Sequence, residues 1–178
     1  MSTETATAQG VWTIDPVHSR LQYEILHNGT TDYVGTFDGV DATLDYRGDD
    51  VKVTGKIDLT SVDLNDEQQR GHVFSPDFFD VERYPTAEYE STAVKFEEGE
   101  VVVEGNLTLR GKTNPVTLRG QINEPTVNIA GSETIHVKLA GEINRQDYGV
   151  SWSLDLPNGK PVLGDDVKVT LSLELVQA

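Results

Sequence analysis

The side chains best suited to chemistry near neutral pH are four imidazoles, His18, His27, His72 and His136. An imidazole can ligate zinc, shuttle a proton or activate a nucleophile. No two of the four are spaced as in the recurrent zinc motifs, so no metal centre is expected from local spacing, and only a site assembled from distant strands stays open. Cysteine is absent, which removes thiolate ligands, thiol nucleophiles and disulfides. The chain holds no nucleophile-elbow pattern, no phosphate-cradling glycine loop and no dinucleotide fingerprint. Carboxylates are so numerous that no pair of them stands out as acid and base. No catalytic residue, cofactor or metal is expected.

Thirty Asp and Glu against fourteen Lys and Arg give a net charge of −16. Such a surface repels phosphate backbones and anionic bilayers, so nucleic acid is not an expected partner. The acidity reads most simply as a solvated, self-repelling surface; adaptation to a salty cytoplasm is the sharper alternative. The opening "MSTETATAQG" has neither the basic nor the apolar region of an export signal, and no apolar run approaches the ~18 residues of a membrane span. A cytoplasmic protein without stable membrane insertion is expected.

The elements that must position any site are strands. From Val11 onward apolar and polar residues alternate, which puts every second side chain on one face. "HSRLQYEILH" aligns Leu21, Tyr23, Ile25 and His27. The same period recurs in Val51–Leu59, Val101–Leu109, Val116–Ile122, Ile135–Ile143 and Val167–Leu175. With "YVGTFDGVDATLDY" and "TAEYESTAVKF" the strands number about eight, most of them separated by turn residues such as "RGDD", "EEGE", "RGKTNP" and "LPNGKP". Strands this long would leave long open edges in a sandwich, and closure into an antiparallel barrel removes them. Gly55, Gly105, Gly120 and Gly141 recur on the apolar face, where they suit either a curved wall around an internal space or relief of crowding in a packed core. Residues 1–10 read as a flexible arm and residues 11–178 as one domain, whose size lets it bury roughly 70% of the surface of the unfolded chain.

One stretch, "SVDLNDEQQRGHVFSPDFFDVERYP", breaks the period. Asn65 with Gln68 resembles a capping box, so a short helix is expected near residues 65–74. Phe74, Phe78, Phe79 and Tyr84 then crowd into eleven residues with Pro76 and Pro85, as in a segment that closes one end of a barrel. Periodicity alone does not decide between a dry, packed barrel and a hollow one, because an eight-stranded barrel can be filled by its own side chains or hold one slender ligand.

The landmarks "WTIDPVHSRLQYEILH", "GTFDG", "SVD", "SPDFFD", "YPTAEYEST", "VEGNLTLRGKTNPVTL" and "INRQDYGVSW", in this order, resemble the YceI-like, polyisoprenoid-binding family over roughly Val11 to Val176. The resemblance implies an all-β fold, an extended lipocalin-like barrel of eight antiparallel strands, with an apolar tunnel for an amphiphilic isoprenoid such as a polyprenyl quinone or polyprenyl phosphate. It implies a carrier or binding protein and not an enzyme. Carried onto this chain, it makes Leu21, Tyr23, Ile25, Leu107, Leu109, Val116 and Leu118 tunnel lining and sets Phe78 and Phe79 where the helical segment meets the cavity. His27, His72 and Arg70 are the candidate headgroup contacts. The chain departs from the family where "QRGH" puts Gln69, and not an arginine, three residues before His72, with Arg70 one residue later, a displacement of about 100° around a helix. Asn28 and Val34 also stand where the family prefers an apolar and a basic residue. An enzyme acting on a quinone or lipid-like substrate in the same barrel, and a stress-related module with a dry core, are the alternatives. A homodimer could cover apolar rim at an open mouth.

Overall fold

The computed structural model describes residues 8–178. Most of the expected N-terminal arm, residues 1–10, lies outside the described residues; Ala8 is buried, and its carbonyl accepts from Trp12 Nε1 at 2.8 Å. The strands are β1 (Gly10–Ile14), β2 (Arg20–His27), β3 (Thr31–Phe37), β4 (Val40–Arg47), β5 (Asp50–Asp58), β6 (Thr86–Glu97), β7 (Glu100–Leu109), β8 (Lys112–Ile122), β9 (Thr126–Val127), β10 (Glu133–Asn144) and β11 (Leu163–Gln177). One α-helix, α1 (Glu67–Phe74), follows β5.

Antiparallel pairing runs β11, β1, β4, β5, β6, β7, β8, β10 and back to β11, so the sheet closes on itself as an eight-stranded lipocalin-like barrel. Eleven strands fill eight positions because three positions are broken, the short β9 continuing the position of β8 along β10. β11 pairs through Leu175–Gln177 with β1 and through Leu163–Ser172 with β2, so β1 and β2 are two halves of one wall position. The break falls at Asp15–Ser19, where Pro16 has no N–H to give a ladder. Ser19 stands in for the missing partner: its Oγ donates to the Glu174 carbonyl and accepts from the Glu174 N–H at 2.9 Å. β3 and β4 are broken likewise at Asp38–Gly39, and Gly39 has no room for a side chain, since a Cβ there would lie 2.9 Å from the Asp58 and Ser61 side chains.

Tight turns join the long strands. Glu98–Gly99 and Arg110–Gly111 both hold positive φ at both residues, the geometry that matches the twist of a two-residue hairpin. β6 carries a bulge between Ser91 and Ala93, and Ser91 Oγ takes up the Val53 N–H at 2.8 Å.

The apolar-face glycines relieve crowding. A Cβ at Gly105 would meet the Tyr89 ring at 2.6 Å, and one at Gly120 would stand 1.7 Å from the Lys138 carbonyl oxygen. Gly141 is limited by Leu118 and the Thr117 carbonyl, whereas Gly55 has 3.8 Å of clearance.

The helical segment forms as expected, with one correction at its start. The N-cap is Asp66 and not Asn65: Asp66 Oδ1 accepts from Gln69 N at 2.8 Å. The pairing of cap and third residue is therefore Asp66 with Gln69, the extended backbone of Asp66 aiming its carboxylate at that N–H.

Candidate functional site

Burial along the inner face of the barrel changes with height. On β11, Leu175 and Leu173 are buried, while Leu171, Val169 and Val167, on the same face by the two-residue period, are only half-buried. On β10, Ile135, Val137 and Leu139 are buried and Ile143 is half-buried. On β2, Leu21 is buried, and Tyr23 and Ile25 are half-buried. Both edges of β11 are paired at these heights, and β10 is paired with β11 up to Asn144 and with β8 over Val137–Ala140. One half of the barrel is closed and packed; in the other, between β2 and the end of β10, here the open half, the same apolar face is only partly buried.

The closed half is nearly full. Its apolar void, bounded by Leu44, Val103, Val137, Leu139 and Leu173 among others, has a volume of about 30 Å³. That is room for a water or two, each needing roughly 10–15 Å³ by the same measure, and not for a lipid chain. A ligand must use the open half. From Val167 to Leu171 its wall is four residue steps tall, about 13 Å of strand.

Segment 59–85 builds one side of this open half. After β5 the chain leaves the sheet, bridges Phe37 through Val62, gives the Asp63 N–H to the Thr36 carbonyl, and turns into α1. Phe79 then packs edge-on to Phe37 at 6.0 Å, and Phe37 contacts Tyr23 at 5.5 Å. Arg110, in the β7–β8 turn, donates to the Phe78 carbonyl at 2.6 Å and ties the segment to the opposite wall. Beyond Thr36 the outer edge of β3 pairs with no strand among the described residues, and a cleft of about 330 Å³ opens there beside Tyr33, Asp63, Asp66 and Gln69.

The loop between β10 and β11 borders the same end. Arg145, buried at its start, donates to the carbonyls of Val150, Trp152 and Gly164 at 2.7, 2.8 and 2.8 Å, and its guanidinium lies 3.2 Å from Asp165. Burial pulls the Arg145 pKa below its usual value, and Asp165 opposes the shift. This arginine holds Trp152 in place. Trp152 meets the ring of His72 at 4.9 Å and that of Phe78 at 5.5 Å, and His72 meets Phe78 at 4.9 Å. The three rings join the helical segment to the loop at the mouth. His72 Nε2 also lies 3.1 Å from Asp77 Oδ2.

The residues expected at the site fall into three groups. Tyr23, Ile25, Leu107, Phe78 and Phe79 are half-buried and belong to the open half or its rim. Leu21, Leu109, Val116 and Leu118 are buried in the packed cluster. Of the candidate headgroup residues, His72 is in the aromatic junction, His27 is exposed at the end of β2, and Arg70 donates to the Leu64 carbonyl. Trp152, Tyr33, Val169 and Leu171 were not singled out by sequence. The last two share the two-residue period of β11, whereas Trp152 ends the landmark "INRQDYGVSW" in a loop whose lack of periodicity does not show which way its ring faces.

Two of the polar groups on the inner face are phenols, Tyr23 and Tyr89. Burial, with smaller contributions from Tyr33 and Asp63, pushes the Tyr23 hydroxyl well above its usual range. Tyr89, whose hydroxyl donates to the carbonyls of Val116 at 2.9 Å and Val103 at 3.3 Å, is raised to about 12, chiefly by burial. Both are neutral phenols at neutral pH and poor proton acceptors. Among the described residues, no helix is long and apolar enough to cross a membrane.

The YceI-like domain model matches residues 12–175. A UPF0312 protein of Staphylococcus aureus strain N315 is 32% identical over 167 residues, covering 92% of this chain and 95% of its own. Among solved structures, BcnA of Burkholderia cenocepacia superposes with a TM-score of 0.75 at 21% identity, over 90% of this chain and 98% of its own. A polyisoprenoid binding domain from Saccharophagus degradans superposes with a TM-score of 0.68 at 17% identity, over 94% of this chain and 98% of its own. At these identities the two structures speak for the fold.

Proposed function

The chain belongs to the YceI-like family, and from that premise we propose that it is a non-catalytic carrier for an amphiphilic isoprenoid lipid, held with its chain in the open half of the barrel and its headgroup at the mouth. The observation behind this reading is the switch from buried to half-buried along one apolar face, at Leu173 to Leu171 on β11 and at Leu139 to Ile143 on β10. A wall that is apolar and solvent-reached gains from any hydrocarbon that covers it, by about 25 cal/mol per Å², less the cost of ordering the chain. The polyisoprenoid binding domain from Saccharophagus degradans, which shares the fold, supports the choice of an isoprenoid over other lipids.

The mouth favours a flat, uncharged headgroup, and so a polyprenyl quinone over a polyprenyl phosphate. His72, Phe78 and Trp152 offer ring faces and edges there. The guanidinium groups of the same segments are occupied: Arg70, Arg110 and Arg145 all donate to protein carbonyls. The cations that remain exposed at this end are Arg83, which faces Asp80 and Tyr84, Lys112 at the start of β8, and Lys160. Neutral phenols on the inner face supply no acid, base or nucleophile matched to catalysis, which is why binding is preferred to turnover.

Ile25→Asp and Val169→Asp test the reading. Both residues are half-buried on the open face, so an acid there keeps water access and the barrel still folds. Retention of a polyprenyl quinone through gel filtration should fall about tenfold or more in each variant, a loss of ~1.4 kcal/mol or more, with the circular dichroism of the parent. Unchanged retention in both folded variants contradicts the assigned wall. Equal uptake of polyprenyl phosphate and quinone by the parent contradicts the headgroup preference alone. Leu109 is unsuited to this test, because at 6% exposure an acid there disrupts packing before it can report on a ligand.

A further inference from the structure

A second site lies on the outer wall of the closed half. Where β1 gives way to β2, the chain turns through Asp15–Ser19 against Glu174 of β11. Leu173 and Leu175 point into the barrel, so Glu174 points out. One ligand atom each from Asp15, His18 and Glu174 lie within 4.8 Å of one another. His18 Nδ1 is 2.8 Å from Asp15 Oδ2. The backbone fixes the two elements to each other: Asp15 N donates to the Glu174 carbonyl at 2.8 Å, and Glu174 N donates to Ser19 Oγ at 2.9 Å. His136 of β10 is the register partner of Glu174, so it shares that outward face, with Nε2 now 3.0 Å from Ser172 Oγ.

We propose that Asp15, His18 and Glu174 form a zinc-type divalent metal site, which staples the β1–β2 corner to the last strand. An imidazole with two carboxylates is a donor set that zinc accepts at about 2.0–2.2 Å, which holds neighbouring donors roughly 3–4 Å apart. Small rotations of side chains already within 4.8 Å of one another close the set. The imidazole sets the preference: magnesium and calcium take oxygen ligands, whereas zinc and its neighbours take nitrogen readily. Water, or His136 turned from Ser172, completes the coordination. The ligands stand at positions 15, 18 and 174, which is why no motif of local spacing announces them. Because the metal would join parts of the chain far apart in sequence and bind only the folded form, its binding raises thermal stability in proportion to the logarithm of its concentration. The site faces away from the bore, so it stands or falls independently of the lipid reading.

The test uses the full chain, stripped with chelator and titrated with zinc chloride alone, followed by calorimetry and thermal melting. The expected result is saturable binding of one zinc per chain and a melting temperature that climbs with zinc. His18→Gln and Glu174→Gln should each weaken binding about tenfold or more while keeping the parent circular dichroism. The His18 side chain is 63% exposed, so its loss leaves packing intact. His72→Ala should bind as the parent does. Three results would overturn the proposal: no saturable zinc binding, undiminished binding in His18→Gln, or an equal melting shift from magnesium, which would reduce the effect to screening of an acidic surface.

Discussion

Two phenols, half-buried Tyr89 and buried Tyr148, tie stability to alkaline pH. Tyr89 and Tyr148 are both raised to about 12, in each case mainly by burial, with Glu104 and Asp147 adding smaller repulsions. A phenol whose folded pKa lies above its unfolded value of about 10 binds its proton more tightly in the folded chain. Its contribution is whole below about pH 10 and is lost as the pH rises toward 12. Urea midpoints measured across that window should fall, and the fall should be shallower in Tyr89→Phe. That variant should also lose about 0.5–1.5 kcal/mol at neutral pH, because the hydroxyl no longer donates to Val103 and Val116. A midpoint that stays flat from pH 10 to 12, or a Tyr89→Phe curve parallel to the parent, contradicts the assignment. Residue identity alone does not place these effects. Leu107 and Leu109 are alike in type and face, yet the first is half-buried and the second buried, and only the assembled neighbours decide which.

At the scale of elements, the two-residue period made most strands legible, and turn chemistry made the hairpins legible, because both are local. The breaks were not. The alternation from Val11 onward does not show that β1 and β2 are two halves of one barrel position, held together by Ser19 on the backbone of Glu174, 155 residues away. The helix was legible from a capping-box pattern, but its cap was misplaced by one residue, since Asn65 and Asp66 are both good caps and Asp66 is the one that takes the Gln69 N–H. The mouth was half legible: Phe78 and Phe79 stand out in "SPDFFD", while Trp152 reaches them through a loop that Arg145 organises. Sheet closure itself yields a sharp prediction. Gly120→Ala puts a methyl where the Lys138 carbonyl already is, so it should cost about 3 kcal/mol or more and loosen the β8–β10 pairing. Gly55→Ala, with ordinary clearance, should change stability by less than about 1 kcal/mol. Urea unfolding of the pair checks both values, and equal costs would refute the crowding account of the inner glycines.

At the scale of the whole molecule, the charge of −16 and the open bore set behaviour together. Self-repulsion of an acidic surface weakens as salt shortens the screening length, so melting temperature should rise along a potassium chloride series; a flat or falling series contradicts that view. Screening leaves the apolar wall untouched, so lipid retention should survive the same salt. The most direct measurement of the central claim is native mass spectrometry of freshly purified chain, followed by solvent extraction and by reloading with a polyprenyl quinone. The account predicts one added mass per chain, removed by solvent and restored by the quinone, and missing from Ile25→Asp. A folded chain that flies at its bare mass when fresh, and stays bare after incubation with both polyprenyl quinone and polyprenyl phosphate, would contradict it.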